Sequence, residues 1–541
     1  MTMMFDAQHN PYKAKRQVTY SKNGMVATSQ PLAAEAGLTM LKKGGNAVDA
    51  AIATAACLTV TEPTSNGIGS DAFALVWIHD DKKLYGLNGS GPAPEALSID
   101  VLKEKGITEE MPAFGWTPVT VPGTPAAWAE LSRRFGKLPF KELFEPAIRH
   151  ARDGYPLSPV LAFFWNNAAK RFKETLTSEE FSAWFETFAP GGEAPQAGDL
   201  WQSEGHAKTL EAIAKTDAKA FYSGELADRI DAASRAQGGY LRKEDLTSFQ
   251  PEWVEPVSVN YKGYDVWEIP PNGQGMIALM ALKTLQDDTF ATRDTDQTFH
   301  YQIEAMKQAF TDGLHYITEP SDMTQNVSSM LSDSYARERR SEIKGEAMEP
   351  KPGDPSSSGT VYLAAADKDG NMVSFIQSNY MGFGSGVVVP GTGIALQNRG
   401  HNFSLDPTHD NALKPGKRTY HTIIPGFMTK GDEAVGPFGV MGGFMQPQGH
   451  MQMVMNTVDF KLNPQAALDA PRWQWLKGKS VQLEQTVPEH IVNGLLRRGH
   501  KVEIAAHDGA FGRGQIIWRD PKTGVLAGGT ESRTDGAIAV Y

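Results

Sequence analysis

A glycine and a threonine, Gly359-Thr360, join two stretches of opposite character. Pro350 to Gly359 is rich in Pro, Gly and Ser and reads as a soft connector. Thr360-Val361-Tyr362-Leu363-Ala364-Ala365-Ala366 reads as a strand. Asp367-Lys368-Asp369-Gly370-Asn371 then reads as a hairpin turn, because Asp-Gly readily supplies the positive φ angles of a tight reversal. The strand that returns, Met372 to Ser378, should bring Ser378 back beside Thr360.

A hydroxyl placed after glycine, between a soft connector and a rigid strand, is where a chain can cut itself. The threonine hydroxyl attacks the Gly359 carbonyl, the peptide shifts from nitrogen to oxygen, and water releases the ester. Glycine has no Cβ to crowd that attack. The product is an N-terminal threonine whose α-amine, titrating near ~8, can serve as base for its own hydroxyl. On its own the pattern also fits an ordinary turn exit.

More glycine-rich bends follow: Gly382-Phe383-Gly384-Ser385-Gly386, Pro390-Gly391-Thr392-Gly393 and Gly439-Val440-Met441-Gly442-Gly443. Upstream stand Gly24-Met25-Val26-Ala27, Lys43-Gly44-Gly45-Asn46-Ala47-Val48-Asp49-Ala50-Ala51 and Val121-Pro122-Gly123-Thr124. Ala147-Ile148-Arg149-His150-Ala151-Arg152-Asp153-Gly154 and Phe221-Tyr222-Ser223-Gly224 continue the series, and Ala470-Pro471-Arg472 closes it. In this order the motifs resemble the γ-glutamyltranspeptidase family of N-terminal-nucleophile hydrolases over most of the chain.

The resemblance implies a four-layer αββα sandwich of mixed helix and sheet. Residues 1–359 would form the large subunit portion and 360–541 the small one, intertwined in one fold. It implies that Gly359-Thr360 is the cleavage point, Thr360 the nucleophile, and Ser378 the hydroxyl residue that hydrogen-bonds it. Gly442 and Gly443 fall on the glycine pair whose backbone N–H groups hold the oxyanion.

The acyl-binding positions depart from the family. Asn88 to Pro94 holds no arginine where the family has one, and the serine pair falls on His421 and Thr422. The asparagine falls on Tyr380, the acidic amine contact on Asn402, and its glutamine-type neighbour on Arg399. An ammonium beside Arg399 would be repelled, whereas a carboxylate could be held by two parallel bonds. Arg399 paired with an acid such as Asp406 is the structural alternative. The segment from Phe403 to Lys417 is short for the family's lid, which favours water over an amino-acid acceptor.

Composition fits a globular enzyme: 541 residues, 40% apolar and 21% charged, with a net charge of −11 that argues against nucleic acid or an anionic membrane as partner. No apolar run approaches a membrane span, and Met1 to Gln30 carries no secretory stretch; the expected location is cytoplasmic. The single cysteine, Cys57, reads as a buried apolar residue. No zinc-helix, Walker or nucleophile-elbow pattern occurs, and His401, His421 and His450 are scattered, so no cofactor or metal is expected.

Helices are expected over Pro31–Leu41, Ala47–Leu58, Pro125–Arg134, Phe140–Arg152, Gly205–Lys215 and Thr298–Leu314, and a packed one over Met445–Met455. Strands are expected over Asp71–Asp80 and as a pair within Val257–Ile269; Asp312 to Gly359 reads as an exposed, cleavable connector. The expected partners are a small amide substrate carrying a carboxylate and the chain's own two pieces, alone or as a dimer of that unit. Three functions fit: an amidase acting on a γ-glutamyl compound such as glutathione, an amidase of another acid amide such as oxamate or an acyl side chain, and a non-catalytic homologue that binds a small acid.

Overall fold

The computed structural model describes Tyr12, residues 16–350 and residues 359–541. Two seven-stranded antiparallel sheets form its centre. The first runs Ala537–Val540, Gly24–Thr28, Gly359–Asp367, Met372–Tyr380, Asp71–Ile78, Lys83–Gly89 and Glu252–Val254. The second runs Thr19–Ser21, Leu526–Thr530, Arg513–Arg519, Glu433–Met441, Gly426–Lys430, Tyr264–Glu268 and Val257–Tyr261. Both sheets combine strands from before and after residue 359. The sheets face each other through Phe73, Leu75, Tyr362, Ile376, Phe427 and Ile517. Helices Pro31–Lys42 and Ala47–Thr61 cover the first sheet; Gly275–Thr284 and Met445–Val458 cover the second. The layers are therefore helix, sheet, sheet, helix, as the resemblance implies.

The helix Ala47–Thr61 shows why these residues build that layer. Its residues are all buried, and alanine lets it lie close to the sheet. Gly44 turns the preceding helix off at φ +92°, and Asn46 accepts bonds from the Val48 and Asp49 N–H groups while Asp49 accepts the Asn46 N–H. Asp367, in the hairpin turn, accepts the Ala47 N–H at 3.0 Å as well as those of Asp369 and Asn371. One carboxylate thus closes the hairpin and docks it on the helix.

Two expectations need correction. Phe140–Arg152 is a 3-10 turn, Phe140–Phe144, followed by a helix that begins at Glu145, because Pro146 has no N–H to give and fits only a first turn. Asp312 to Gly359 is not an exposed connector as far as residue 350. The helix before it runs on to Tyr316, short helices span Val327–Met330 and Asp333–Glu342, and Met330, Ala336, Ile343 and Ala347 are buried. Arg340 pairs with Asp288 at 2.6 Å and Arg339 with Asp312. One apolar residue per turn suffices to dock such helices, and overall polarity conceals it. Residues 351–358 of the expected connector lie outside the described residues.

Candidate active site

The hairpin places Thr360 and Ser378 as its spacing requires. Their hydroxyl oxygens are 3.0 Å apart, both residues are buried, and Ser378 Oγ accepts the Tyr380 N–H at 2.8 Å. A third group joins them from the other sheet's helix. Gln446 Nε2 donates toward Thr360 Oγ1 at 3.4 Å, and Gln446 Oε1 accepts the Ile424 N–H at 2.9 Å.

Gln446 reaches this point because of the glycine pair. The strand Glu433–Met441 ends beside the strand Gly359–Asp367, and Gly442 (φ +135°) and Gly443 (φ +60°) turn the chain into the helix that starts at Met445. Their carbonyls accept the N–H groups of Met445 and Gln446. Gln274 fixes the turn: its Nε2 donates to the Gly443 carbonyl at 2.8 Å, and its Oε1 accepts the Tyr420 hydroxyl at 2.6 Å.

Beyond Ser378 the acyl-binding candidates form a dry cluster. Arg399 is fully buried; Nη1 donates to Thr422 Oγ1 at 2.6 Å, and its guanidinium lies 4.5 Å from the centre of the Tyr380 ring. Asp406 is exposed and bonds Thr408, so it is not the acid that Arg399 meets. That acid is Asp71, opposite Ser378 in the neighbouring strand, with Oδ2 3.7 Å from Arg399 Nε and 3.0 Å from His421 Nε2. Asn402 directs its amide to the Tyr420 carbonyl at 3.1 Å, which ties two segments of the pocket wall together. Burial drives the electrostatics. It lifts the Asp71 carboxyl to about 7 against the pull of Arg399, lowers the Arg399 guanidinium to about 10, and holds His421 well below the usual imidazole range.

Asp71, Gln446 and Gln274 were not singled out by the sequence reading. A charged residue opening the otherwise apolar strand Asp71–Ile78 was the available signal for the first. Gln446 lies inside a Met- and Gln-rich run whose burial is as expected, and nothing local marks it.

An open cleft of about 880 Å³ reaches the glycine pair, with Ser65, Phe164, Arg171, Met441, Gly442 and Arg513 among its walls. No residue of 403–417 lines it. Phe403, Leu405 and Leu413 of that segment pack instead on Ala93 and Leu97.

Elsewhere, Cys57 is buried with its thiol pushed up to about 12, so it is no nucleophile. His401 bonds the Met111 carbonyl and His450 bonds Glu268. Among the described residues, His300, Glu304 and His500 come together as metal ligands could, but Lys307 Nζ sits 2.7 Å from Glu304 Oε1 and supplies the positive charge there. No helix among the described residues is long and apolar enough to cross a membrane.

Known proteins match the chain over nearly all of its length. The family model described as gamma-glutamyltranspeptidase matches residues 33–541. The chain superimposes on a crystal structure of cephalosporin acylase from Bacillus halodurans with a TM-score of 0.95 and 64% identity, covering 99% of each chain. The glutathione hydrolase-like YwrD proenzyme of Bacillus subtilis is 36% identical over 95% of this chain and 97% of that protein. The oxamate amidohydrolase proenzyme of Klebsiella pneumoniae is 32% identical over 96% and 99%. With two antiparallel sheets between helical layers and relatives that are hydrolases and acylases, the chain belongs to the gamma-glutamyltranspeptidase family and is an amide-bond hydrolase of it.

Proposed function

We propose that this chain cuts itself between Gly359 and Thr360 and then hydrolyses the amide of a small carboxylate-bearing acid through a threonyl ester. The observation that carries the reading is the 3.0 Å contact between the hydroxyls of Thr360 and Ser378 at the start of the strand Gly359–Asp367. Once freed, the Thr360 amine takes the hydroxyl proton while Oγ1 attacks the substrate carbonyl. The amine product leaves with that proton, and water then displaces the acyl group. Gly442 and Gly443 would offer their N–H groups to the carbonyl oxygen when it becomes an oxyanion, worth ~3 kcal/mol for one donor. Their place between the cleft and Gln446 supports this.

For the acyl group, Arg399 would hold a carboxylate, with Thr422, His421 and Tyr380 around it and Asn402 bracing the wall. Two donors of Arg399, Nε and Nη2, make no hydrogen bond although they are buried, which suits an incoming anion. Asn402 replaces the family's acidic contact for an α-amine, so acids without that amine fit better than γ-glutamyl groups. The named relatives all cleave or resemble cleavers of amides and differ in the acyl group, which leaves an oxamate-type or acylase-type substrate as the second reading. The segment 403–417 does not line the cleft, which supports water over an amino-acid acceptor for the acyl group.

The test begins on a denaturing gel. Purified protein should resolve into pieces corresponding to residues 1–359 and 360–541, the smaller one beginning Thr-Val-Tyr-Leu. Thr360→Ala should stay whole and inactive, and Thr360→Ser should keep part of both reactions. The mature enzyme is then given glutaryl, γ-glutamyl and butyryl p-nitroanilides, oxamate and glycylglycine. The glutaryl compound should be cleaved faster than the γ-glutamyl one, and glycylglycine should accelerate neither. A Thr360→Ala protein that still processes and turns over would falsify the assignment.

A further inference from the structure

Arg399 faces a carboxylate before any substrate arrives. We propose that Asp71 competes with the substrate's carboxylate for Arg399, and that binding an anionic acyl group makes Asp71 take up one proton. The proposal rests on the reading of Arg399 given above.

The geometry separates the two edges of the guanidinium. Nη1 is committed to Thr422 Oγ1 at 2.6 Å. Nε and Nη2, the edge that can bind a carboxylate with two parallel bonds, make no hydrogen bond. Asp71 Oδ2 lies 3.7 Å from Nε, close enough for charge attraction and too far for a hydrogen bond. Its Oδ1 makes no hydrogen bond at normal distance. The strand pairing that puts Asp71 opposite Ser378, together with the His421 bond to Oδ2, holds the carboxylate back from closing on the guanidinium. The edge is therefore balanced by charge while its two donors make no hydrogen bond.

A substrate carboxylate seated there would place two anions against one cation where both residues are fully buried. Like charges in such a site do not both stay ionised; one takes a proton. The substrate carboxylate, bonded twice to Arg399, is the one favoured as an anion, and Asp71 is the one that neutralises.

The other groups facing Asp71 do not absorb the charge. His421, from the segment after Tyr420, is neutral through burial, and its Nδ1 accepts the Ile423 N–H, which leaves the proton on Nε2 toward Asp71. Tyr222, at the end of the helix Lys219–Tyr222, has its phenol raised by burial and stays neutral. Tyr380 and Tyr420 lie toward Arg399, and the peptide N–H groups of Gly91 and Gly123 favour the anionic form of Asp71. Burial nonetheless lifts this carboxyl to about 7, so its proton is available near neutral pH.

The sign follows. Below pH 7 Asp71 is already protonated and the edge is free. Above it, each bound anion must bring a proton, so affinity falls by up to about tenfold per pH unit. An acyl group without a carboxylate has no such dependence.

The experiment uses the mature enzyme and glutarate, the acid product of a glutaryl amide, titrated calorimetrically at pH 8 in two buffers of different ionisation enthalpy. The expected result is uptake of close to one proton per site, and glutarate affinity about tenfold greater at pH 6 than at pH 8. KM for glutaryl p-nitroanilide should rise over the same range while that for the butyryl compound stays flat. Asp71→Asn should abolish proton uptake and flatten the glutaryl profile. The wild-type titration stands alone should that variant fail to fold. Glutarate that binds, is lost on Arg399→Ala, and carries no proton overturns the Asp71 proposal and leaves Arg399 in place. Glutarate binding unchanged by Arg399→Ala, or absent even at pH 6, overturns both.

Discussion

At the scale of the residue, it is Arg399 that, on the proposed reading, distinguishes this pocket from one built for an amino acid. Its head is dry, stacked on Tyr380, tied at one nitrogen to Thr422 and open at two others. Removing it should cost the substrate a charge-assisted pair, ~1.5–3 kcal/mol, so Arg399→Ala should raise KM for a glutaryl amide roughly ten- to a hundredfold. Arg399→Lys should recover only part, because an ammonium cannot make the planar two-bond contact. Steady-state kinetics on both variants checks this, and γ-glutamyl transfer to glycylglycine that ignores the mutation would restore an ordinary transpeptidase. What the sequence made legible here follows from distance along the chain. Thr360 and Ser378 share a hairpin, so turn chemistry alone brings them together. Asp71 meets Arg399 and His421 through strand pairing and packing between remote segments, and no local pattern encodes that. Asp406, the acid named as an alternative partner, is near Arg399 in sequence but exposed, whereas the 3-10 turn at Arg399–Asn402 buries the arginine.

At the scale of the element, turns and caps decide where side chains arrive. The helices and strands read from apolar period and turn residues, such as the Ala-rich helix after Gly44-Gly45 and the hairpin that follows Thr360, are present. The polar helices between Asp312 and residue 350 were not, since their stability comes from ion pairs and sparse docking residues. Two substitutions test the elements that serve the site. Gly443 lies at φ +60°, where a β-branched residue is strained, and its turn delivers Gln446 to Thr360. Gly443→Val should lower turnover by about a hundredfold or more with circular dichroism little changed, in line with ~3 kcal/mol for a lost oxyanion donor. Near-normal kinetics would reduce the pair to a turn. Asp367 holds the hairpin on the Ala47–Thr61 helix through the Ala47 N–H. Asp367→Ala removes that cap and should cost about 1–2 kcal/mol, read as a lower midpoint in chemical denaturation, with Asp367→Asn intermediate.

At the scale of the whole molecule, the proposed cut at Gly359-Thr360 falls inside a sheet that neither piece could complete alone. The strand Gly359–Asp367 is bonded on one side to Gly24–Thr28 and on the other to Met372–Tyr380. Asp71–Ile78 is bonded in turn to Met372–Tyr380, and Gly24–Thr28 to Ala537–Val540. The strands Gly24–Thr28, Gly359–Asp367, Met372–Tyr380 and Asp71–Ile78 bury apolar side chains on both faces, so pulling the pieces apart would break three strand pairings of this sheet and expose the centre of two cores. The buried pair of Arg513 with Glu62, 3.0 Å apart, also crosses the cut and would leave uncompensated charges if it opened. Unpaired strand edges and bare apolar faces are costly in water, whereas breaking one peptide bond removes none of these contacts. The matured protein should therefore elute from a sizing column in native buffer as one species with the mass of the whole chain, or a multiple of it. The same sample should give two bands on a denaturing gel. Thr360→Ala should elute at the same volume as the matured protein and give one band. Two peaks in native buffer, each holding one fragment, would show that the sheets do not hold the pieces together after the cut.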